Sequence, residues 1–307
     1  MEDRSKEGET LLIIDAHNVC FAALYSTGSL SYGDRATGII YGFLRRIFSL
    51  AKEYHPDKIV FAWDSRKRKR ALFYPDYKIN RKNKSEEELE MIRQALPQFS
   101  ELRTTVLPRL GFNNNFIMTG YEADDIIAHI VYHVQANHYI MSGDQDLYQL
   151  LGKRGKFDTV IINPRTNKVF DADMFRMIYG IEPHQWTLAK AIGGCVSDNV
   201  EGIEGVADPA KSEKSKALAY IKGTLDHGVA FDRIVSYEGQ QIINRNMQLV
   251  FIPYFSEKEG ESLILREDEG YSMDWLDLFD EYGFRSFEKE IDELKELFKL
   301  KKGRRNG

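Results

Sequence analysis

No run of about 18 uncharged apolar residues occurs in the chain, so nothing in it reads as a membrane span. Residues 1–10, M-E-D-R-S-K-E-G-E-T, lack the apolar centre of a secretion signal. Cysteine is nearly absent. Cys20 and Cys195 stand far apart, with no metal-binding spacing and no disulfide framework, so a reducing cytoplasm is the expected compartment. Excess positive charge is missing too: 42 Lys and Arg against 47 Asp and Glu give a net charge of -5, which argues against a passive nucleic-acid coat. It leaves room for a local basic track beside acids neutralised by metal. What remains, 307 residues at 43% hydrophobic and 29% charged, is an ordinary globular composition for one large domain or two modest ones.

The chain is organised around residues 118–150. There Ile126, Ile127, Ile130, Val131 and Val134 recur at helical spacing, while Glu122, Asp124 and Asp125 crowd the helix start. The short apolar run Tyr139-Ile140-Met141 comes next and ends at Ser142-Gly143, with Asp144 and Asp146 just beyond. Taken singly these features are ordinary, since Thr119 to Glu122 fits a T-x-x-E capping box and S-G-D-Q-D fits a polar turn. Together, five carboxylates at two adjacent element ends would repel one another and raise each other's pKa unless a divalent cation or a basic partner compensates. Hard oxygen donors at this density suit magnesium or manganese.

Residues 11–14 form an apolar run that ends at Asp15, residues 59–63 form another that ends at Asp64, and an amphipathic helix over 38–54 lies between them. Strand, helix, strand predicts a parallel crossover. With 116–118, 139–141 and 159–162 as further strands, the pattern predicts an α/β fold with a mostly parallel central sheet, helices on both faces, and ligands beyond the carboxyl ends of the strands. Asp15, Asp64 and Asp144 share that edge. Three strand-end acids beside an acidic helix outweigh the usual turn reading of each one.

After Asp64 come Arg66, Lys67, Arg68, Lys69, Arg70, Lys78, Arg81, Lys82 and Lys84, nine cations in nineteen residues, interleaved with Phe73, Tyr74 and Tyr77. A solvated loop is the plain reading; basic groups mixed with aromatics also suit a single strand, through phosphate contact and base stacking. Ser85 is placed to cap the next helix. From residue 183 the pattern is helical, with Trp186, Leu188, Ala189 and Ile192 assigned to a core. Gly202 and Gly205 punctuate G-I-E-G-V, a turn able to aim backbone N–H groups at a phosphate. The last sixty residues read as a solvated tail ending in an apolar-striped helix over 287–300, with contact to DNA or a replication partner as the alternative.

In order, I-I-D-A-H-N, F-A-W-D followed by R-K-R-K-R, Y-P-D-Y-K-I-N-R, Y-E-A-D-D, S-G-D-Q-D-L-Y-Q-L, S-D-N-V-E-G-I-E-G-V and N-R-N-M-Q-L-V resemble the 5′-nuclease and flap endonuclease family of bacteriophages and of the N-terminal part of bacterial DNA polymerase I. The resemblance covers about residues 11–255. It implies a PIN-like 5′-nuclease core over 10–182 with a basic arch at about 66–100, a helix-hairpin-helix region over 183–255, and an unexplained extension over 256–307. It also implies a divalent-metal-dependent, structure-specific 5′-3′ exonuclease and flap endonuclease, monomeric, in a bacterial or phage-infected cell. Its substrates would be branched or 5′-ended DNA, or RNA primers on DNA, during replication or repair.

Two Mg²⁺ are implied by the same resemblance. Asp15, Asp64, Glu122, Asp124 and Asp125 would serve the first, directly or through water, and Asp144, Asp146 and Asp198 the second. Lys78 and Arg81 match the family's catalytic basic pair and Tyr77 its stacking aromatic. Arg66, Lys67, Arg70 and Lys82 would contact nucleic acid from the arch, and Gly202 and Gly205 would grip the duplex.

Two positions depart from the family. Where it writes G-D-x-S-D-N, Cys195 replaces the first aspartate, and a thiol is a poor partner for magnesium. Weakened second-metal affinity and a preference for Mn²⁺ are therefore expected. Ala207 replaces the last glycine of the hairpin and a lysine-rich stretch comes after it, which leaves a K⁺ site and the usual duplex grip in doubt. A catalytically weak branched-DNA-binding protein is the alternative reading. A magnesium phosphohydrolase of small molecules is a third, but it needs an aspartate where His17 stands and leaves the basic arch unexplained.

Overall fold

The computed structural model describes residues 8–82 and 84–299; the side chains of Arg81 and Lys82 lie outside the described residues. The central sheet has six strands: β1 (Thr10–Asp15), β2 (Lys58–Trp63), β3 (Asn115–Ile117), β4 (Asn137–Met141), β5 (Thr159–Ile162) and β6 (Val169–Phe170). Their spatial order is 3-2-1-4-5-6, and every neighbouring pair is parallel except β5 with β6. Alternate side chains of β1 part to opposite faces, Leu12 and Ile14 into one core and Leu11 and Ile13 into another. Burial on both faces is why these strands read as unbroken apolar runs.

One face is covered by α1 (Ala16–Thr27) and α2 (Gly38–Tyr54), which bury Val19, Ile40, Phe43 and Ile47 against Phe61 and Trp63. Between β2 and β4 the chain forms α3 (Lys69–Phe73), α4 (Glu86–Glu101) and α5 (Ala123–His133), and across the sheet Ile126, Ile127 and Ile130 of α5 pack on Val60 and Ile140. Ser85 caps α4 as expected, its side chain accepting from the Glu88 N–H at 3.1 Å. Thr119 does not cap α5. That helix begins at Ala123 with Glu122 as N-cap, and the Glu122 N–H donates to Asp125 Oδ2 at 3.1 Å.

Beyond the sheet, α6 (Trp186–Gly193) and α7 (Tyr237–Val250) enclose a third core of Ile192, Cys195, Ile203, Ile234, Ile243 and Leu249, into which Tyr77 inserts. Asn246 is fully buried and its Nδ2 spans the carbonyls of Ala191 at 2.9 Å and Glu201 at 2.8 Å, fixing α7 to both α6 and the turn after it.

The solvated-tail reading is corrected for the part of the C-terminal segment that is described. Trp275, Phe279, Phe287 and Leu294 are fully buried in the core that contains α2. Lys52 of α2 pairs with Glu290 at 2.7 Å and Glu293 at 2.6 Å, and Arg109 pairs with Asp274 at 2.9 Å. The single helix expected over 287–300 is two short ones, Arg285–Lys289 and Ile291–Leu297. The basic end, residues 301–307, lies outside the described residues. No helix among the described residues is long and apolar enough to cross a membrane.

Candidate active site

The strand order reverses between β1 and β4, the switch point at which open α/β sheets leave a crevice beyond their carboxyl edge. Asp15 closes β1 and caps α1, accepting from the Asn18 N–H at 3.2 Å and from Ser142 Oγ at 2.6 Å. Asp64 comes directly after β2 and accepts from the Ala123 N–H at 2.8 Å, so the second strand end is tied to the start of α5. Its own N–H donates to His17 Nδ1 at 3.1 Å. Asp144 lies three residues beyond β4 and accepts from the Asp146 N–H at 2.8 Å. Asp124 stands in the first turn of α5. The predicted strand-end acids are thus brought to one rim.

The acids divide by their partners. Both oxygens of Asp125 are taken by the Arg70 guanidinium at 2.7 Å each, and its Oδ1 also accepts from the Tyr254 N–H at 2.8 Å. Glu122 accepts from Lys78 Nζ at 2.6 Å and from the Tyr77 hydroxyl at 2.7 Å; despite burial, Lys78 and Arg70 hold its carboxyl at about 2. Asp198 faces Lys78 Nζ at 3.4 Å and accepts from Tyr77 at 3.1 Å. Asp146 is paired with Lys190. Among the described residues no lysine or arginine forms an ion pair with Asp15, Asp64, Asp124 or Asp144. Burial, then Asp64, lifts Asp15 to about 7; burial, then Asp146 and Asp198, lifts Asp144 to about 6; burial, then Asp144 and Asp15, drives Asp124 well up. The negative charge lacking compensation is concentrated in that quartet.

Four expectations change with this geometry. Asp125 is fully buried with Arg70 on both oxygens, so it is a structural anchor and not a metal ligand. Arg70, 3% exposed and also donating to the carbonyls of Leu249 and Phe251, is no nucleic-acid contact. Tyr77 is 6% exposed and offers no ring face for stacking; the exposed large apolar groups of the arch, among the described residues, are Leu72, Phe73, Ile79 and Leu96. Residues 202–206 form a turn, but the next helix, Lys216–Ile221, is displaced by a loop ordered around Asp208, which accepts from the Val196 N–H at 2.9 Å and the Ala210 N–H at 2.8 Å. Gly202 sits against the Gly193–Gly194 backbone, where a Cβ would come within 2.2 Å of the Gly193 carbonyl carbon, and Gly205 has φ +79°. Arg66 and Lys67 are exposed as expected.

The root of the arch is stitched to the turn before this hairpin. Lys78, at φ +57°, donates its backbone N–H to the Asp198 carbonyl at 2.7 Å. Asn80 Nδ2 donates to Val196 O at 2.9 Å, and Asn199 Nδ2 donates to Asp76 O at 3.0 Å.

A family model described as 5′-3′ exonuclease, N-terminal resolvase-like domain, matches residues 10–180. The chain is 31% identical over 231 residues to a 5′-3′ exonuclease of Aquifex aeolicus, covering 73% of this chain and 75% of that protein. The chain belongs to the 5′-3′ exonuclease family. It is therefore a nuclease, a hydrolase of phosphodiester bonds that uses divalent metal. DNA polymerase I of Mycobacterium tuberculosis is 28% identical over 237 residues, which are 74% of this chain but only 25% of the polymerase. In fold, the nuclease superimposes on bacteriophage T5 5′-exonuclease with zinc bound (TM-score 0.64, 21% identity, 83% of this chain and 97% of that one). It superimposes likewise on T5 flap endonuclease crystallised with DNA and metal ions (TM-score 0.64, 20% identity, 94% of this chain and 100% of that one).

The quartet offers hard oxygen donors that repel one another and form no ion pair with a lysine or arginine among the described residues, which suits a hard divalent ion in its chemistry, although its oxygens do not form a group of three within 4.8 Å of one another. The donors of Asp146, Cys195 and Asp198 do not fit a second Mg²⁺, although those atoms lie within 4.8 Å of one another. Burial, then Asp146, pushes the Cys195 thiol up to about 12, so that it adds no charge, and the two carboxylates already hold ammonium groups. Sequence reasoning missed Lys190 and Ser142. A lone lysine within the apolar T-L-A-K-A-I-G was the available signal for the first; the second, inside S-G-D-Q-D, carried none.

The quartet sets a pH dependence. Folded-state pKa values raised above the ordinary 3.9 or so mean that the metal-free fold binds extra protons between about pH 4 and pH 7, so its stability falls as pH rises through that window. Mg²⁺ has to displace those protons. Its stabilisation in a thermal melt is expected to be larger at pH 8 than at pH 6, and an equal increment at both would contradict this protonation state.

Proposed function

We propose that this nuclease cuts 5′-ended branched or nicked DNA, including RNA primers on DNA, with Asp15, Asp64, Asp124 and Asp144 holding one Mg²⁺ or Mn²⁺ over the scissile phosphate. The observation that carries this is a quartet of carboxylates at the switch point that repel one another and form no ion pair with a lysine or arginine among the described residues. A divalent ion bound there supplies an acidified water and neutralises phosphate charge. Ser142 fixes the rotamer of Asp15, and the Asp146 N–H fixes that of Asp144, so the donors are held ready before an ion arrives. Lys78 has its ammonium seated on Glu122, beside Asp198, and is proposed to act from there on the charge that grows on the phosphate. Arg81 is proposed as its companion from the family pattern, its side chain lying outside the described residues.

Arg66, Lys67 and Phe73, exposed beside the site, are proposed to bind the 5′ strand, with Lys82 joining them on the family pattern; α6, α7 and the 202–206 turn, which share a core of their own, would hold the duplex. The extension has spent its apolar stripe on the core around α2, so a replication partner would have to use its outer, charged surface. Replacing Arg66 and Lys67 together by Ala is expected to weaken DNA binding and to reduce the slope of log K against log salt by about 0.7–0.9 for each lost phosphate contact. A slope equal to wild type, measured by fluorescence anisotropy, would remove both residues from the interface.

The deciding experiment is cleavage of 5′-labelled flap, nicked, blunt and RNA-primed substrates in Mg²⁺, with Asp144→Asn as control. Products from wild type and none from the control support the proposal. Binding of branched DNA without products would leave a DNA-binding protein instead.

A further inference from the structure

Asp146, Cys195 and Asp198 bring three donor atoms together, yet both carboxylates already face an ammonium group. Lys190 Nζ sits on Asp146, Lys78 Nζ lies 3.4 Å from Asp198, and the Tyr77 hydroxyl donates to Asp198 at 3.1 Å. Asp146 pairs with the Lys190 ammonium, Asp198 shares Lys78 with Glu122, which holds that ammonium at 2.6 Å, and the third donor is a thiol whose Sγ lies 3.1 Å from Ser197 Oγ. The quartet is the opposite case: four carboxylates, none of them in an ion pair with a lysine or arginine among the described residues.

Lys190 cannot step aside cheaply. It is 3% exposed, and although burial works against its charge, the Asp146 carboxylate seated on its Nζ outweighs that penalty and keeps it an ammonium. Its helix is pinned to the segment that carries Asp146, because Trp186 Nε1 donates to Gln145 O at 2.8 Å and Thr187 Oγ1 to Gln149 Oε1 at 3.0 Å. Asn246 holds the same helix from the other side through Ala191 O at 2.9 Å. An entering cation would have to break the Lys190–Asp146 pair and leave a buried ammonium beside a second positive charge. Magnesium ordinarily takes one or two carboxylates and keeps its remaining waters, so what bars it here is the ammonium already seated on Asp146 and not the number of oxygens.

We infer that this nuclease has one divalent-ion site where its family fold implies two, and that the Lys190 ammonium stands permanently at the second position, its single charge matched to a cluster in which Cys195 has removed one carboxylate. Lys190 is thus a positioned electrostatic group of the active site. The activity arm of this inference rests on the proposed nuclease function; the ion count does not.

The test counts Mn²⁺ bound to the full chain without DNA by electron paramagnetic resonance titration at pH 8. Wild type is expected to bind one equivalent, and Lys190→Met combined with Cys195→Asp two. Two equivalents of similar affinity in wild type would overturn the inference, and so would a double variant that stays at one. In Mg²⁺, Lys190→Met alone is expected to lower flap cleavage by about 10²–10³-fold, as loss of one preorganised cation does, with partial recovery in the double variant. Wild-type cleavage by Lys190→Met would also overturn it. Circular dichroism checks folding of each variant; should Lys190→Met fail to fold, the wild-type ion count decides alone. A wild type that binds one ion but cuts nothing would sink the proposed function and leave the ion count standing.

Discussion

Asp144→Asn is expected to abolish cleavage and, in the absence of metal, to make the protein more heat-stable. The two effects share one cause. Asp144 is raised to about 6 by burial and by Asp146 and Asp198, so at pH 8 it is an ionised group held where ionisation is unfavourable. Asparagine keeps an oxygen that can accept from the Asp146 N–H and removes the charge. Flap cleavage should fall by about 10²–10³-fold or more, the usual scale for one preorganised electrostatic group. The metal-free melting temperature should rise by roughly 2–4 °C, as for a gain of about 1 kcal/mol in a chain of this size. The further rise caused by Mg²⁺ should disappear. A metal-free variant that melts lower than wild type while keeping its Mg²⁺ response would mean that Asp144 is an ordinary turn residue.

Arg70→Met should do the reverse. The Arg70 guanidinium binds both oxygens of Asp125, and both groups are buried, so its removal leaves an uncompensated carboxylate in the interior. Breaking such a pair from one side costs about 3–5 kcal/mol, and a drop in melting temperature on the order of 10 °C is expected. The salt slope of DNA binding by the folded protein should not change, in contrast to the Arg66 and Lys67 double variant. A stable Arg70→Met protein with a reduced salt slope would return Arg70 to the DNA interface.

Much of this architecture was legible because it is written locally. Asp15 and Asp64 could be placed at the carboxyl edge of the sheet because each stands at the end of an apolar strand, and α2 was bounded correctly by the spacing of Ile39, Phe43, Ile47 and Leu50. Pairings that span long stretches of chain could not be read this way. Nothing near Arg70 in sequence distinguishes it from Arg66, and only folding brings it to Asp125 and to the carbonyls at 249 and 251. Tyr77 matched an aromatic position but not its exposure, because the third core that swallows it is assembled from residues beyond 190. The extension was misread for a related reason: the partner of its apolar stripe, the core around α2, lies more than two hundred residues earlier in the chain.

The stitches between the arch root and the strip before the hairpin have a mechanical corollary. Lys78 hangs its backbone on Asp198, while Asn80 and Asn199 clasp the same two ribbons from either side. Under the proposed seating of the duplex on the glycine turn, load placed there would reach, through these hydrogen bonds, the ribbon that carries the ammonium. On that proposal, grasping the duplex and aligning the charge that acts on it would be a single displacement, and a ligand seated out of register would carry the lysine out of register with it.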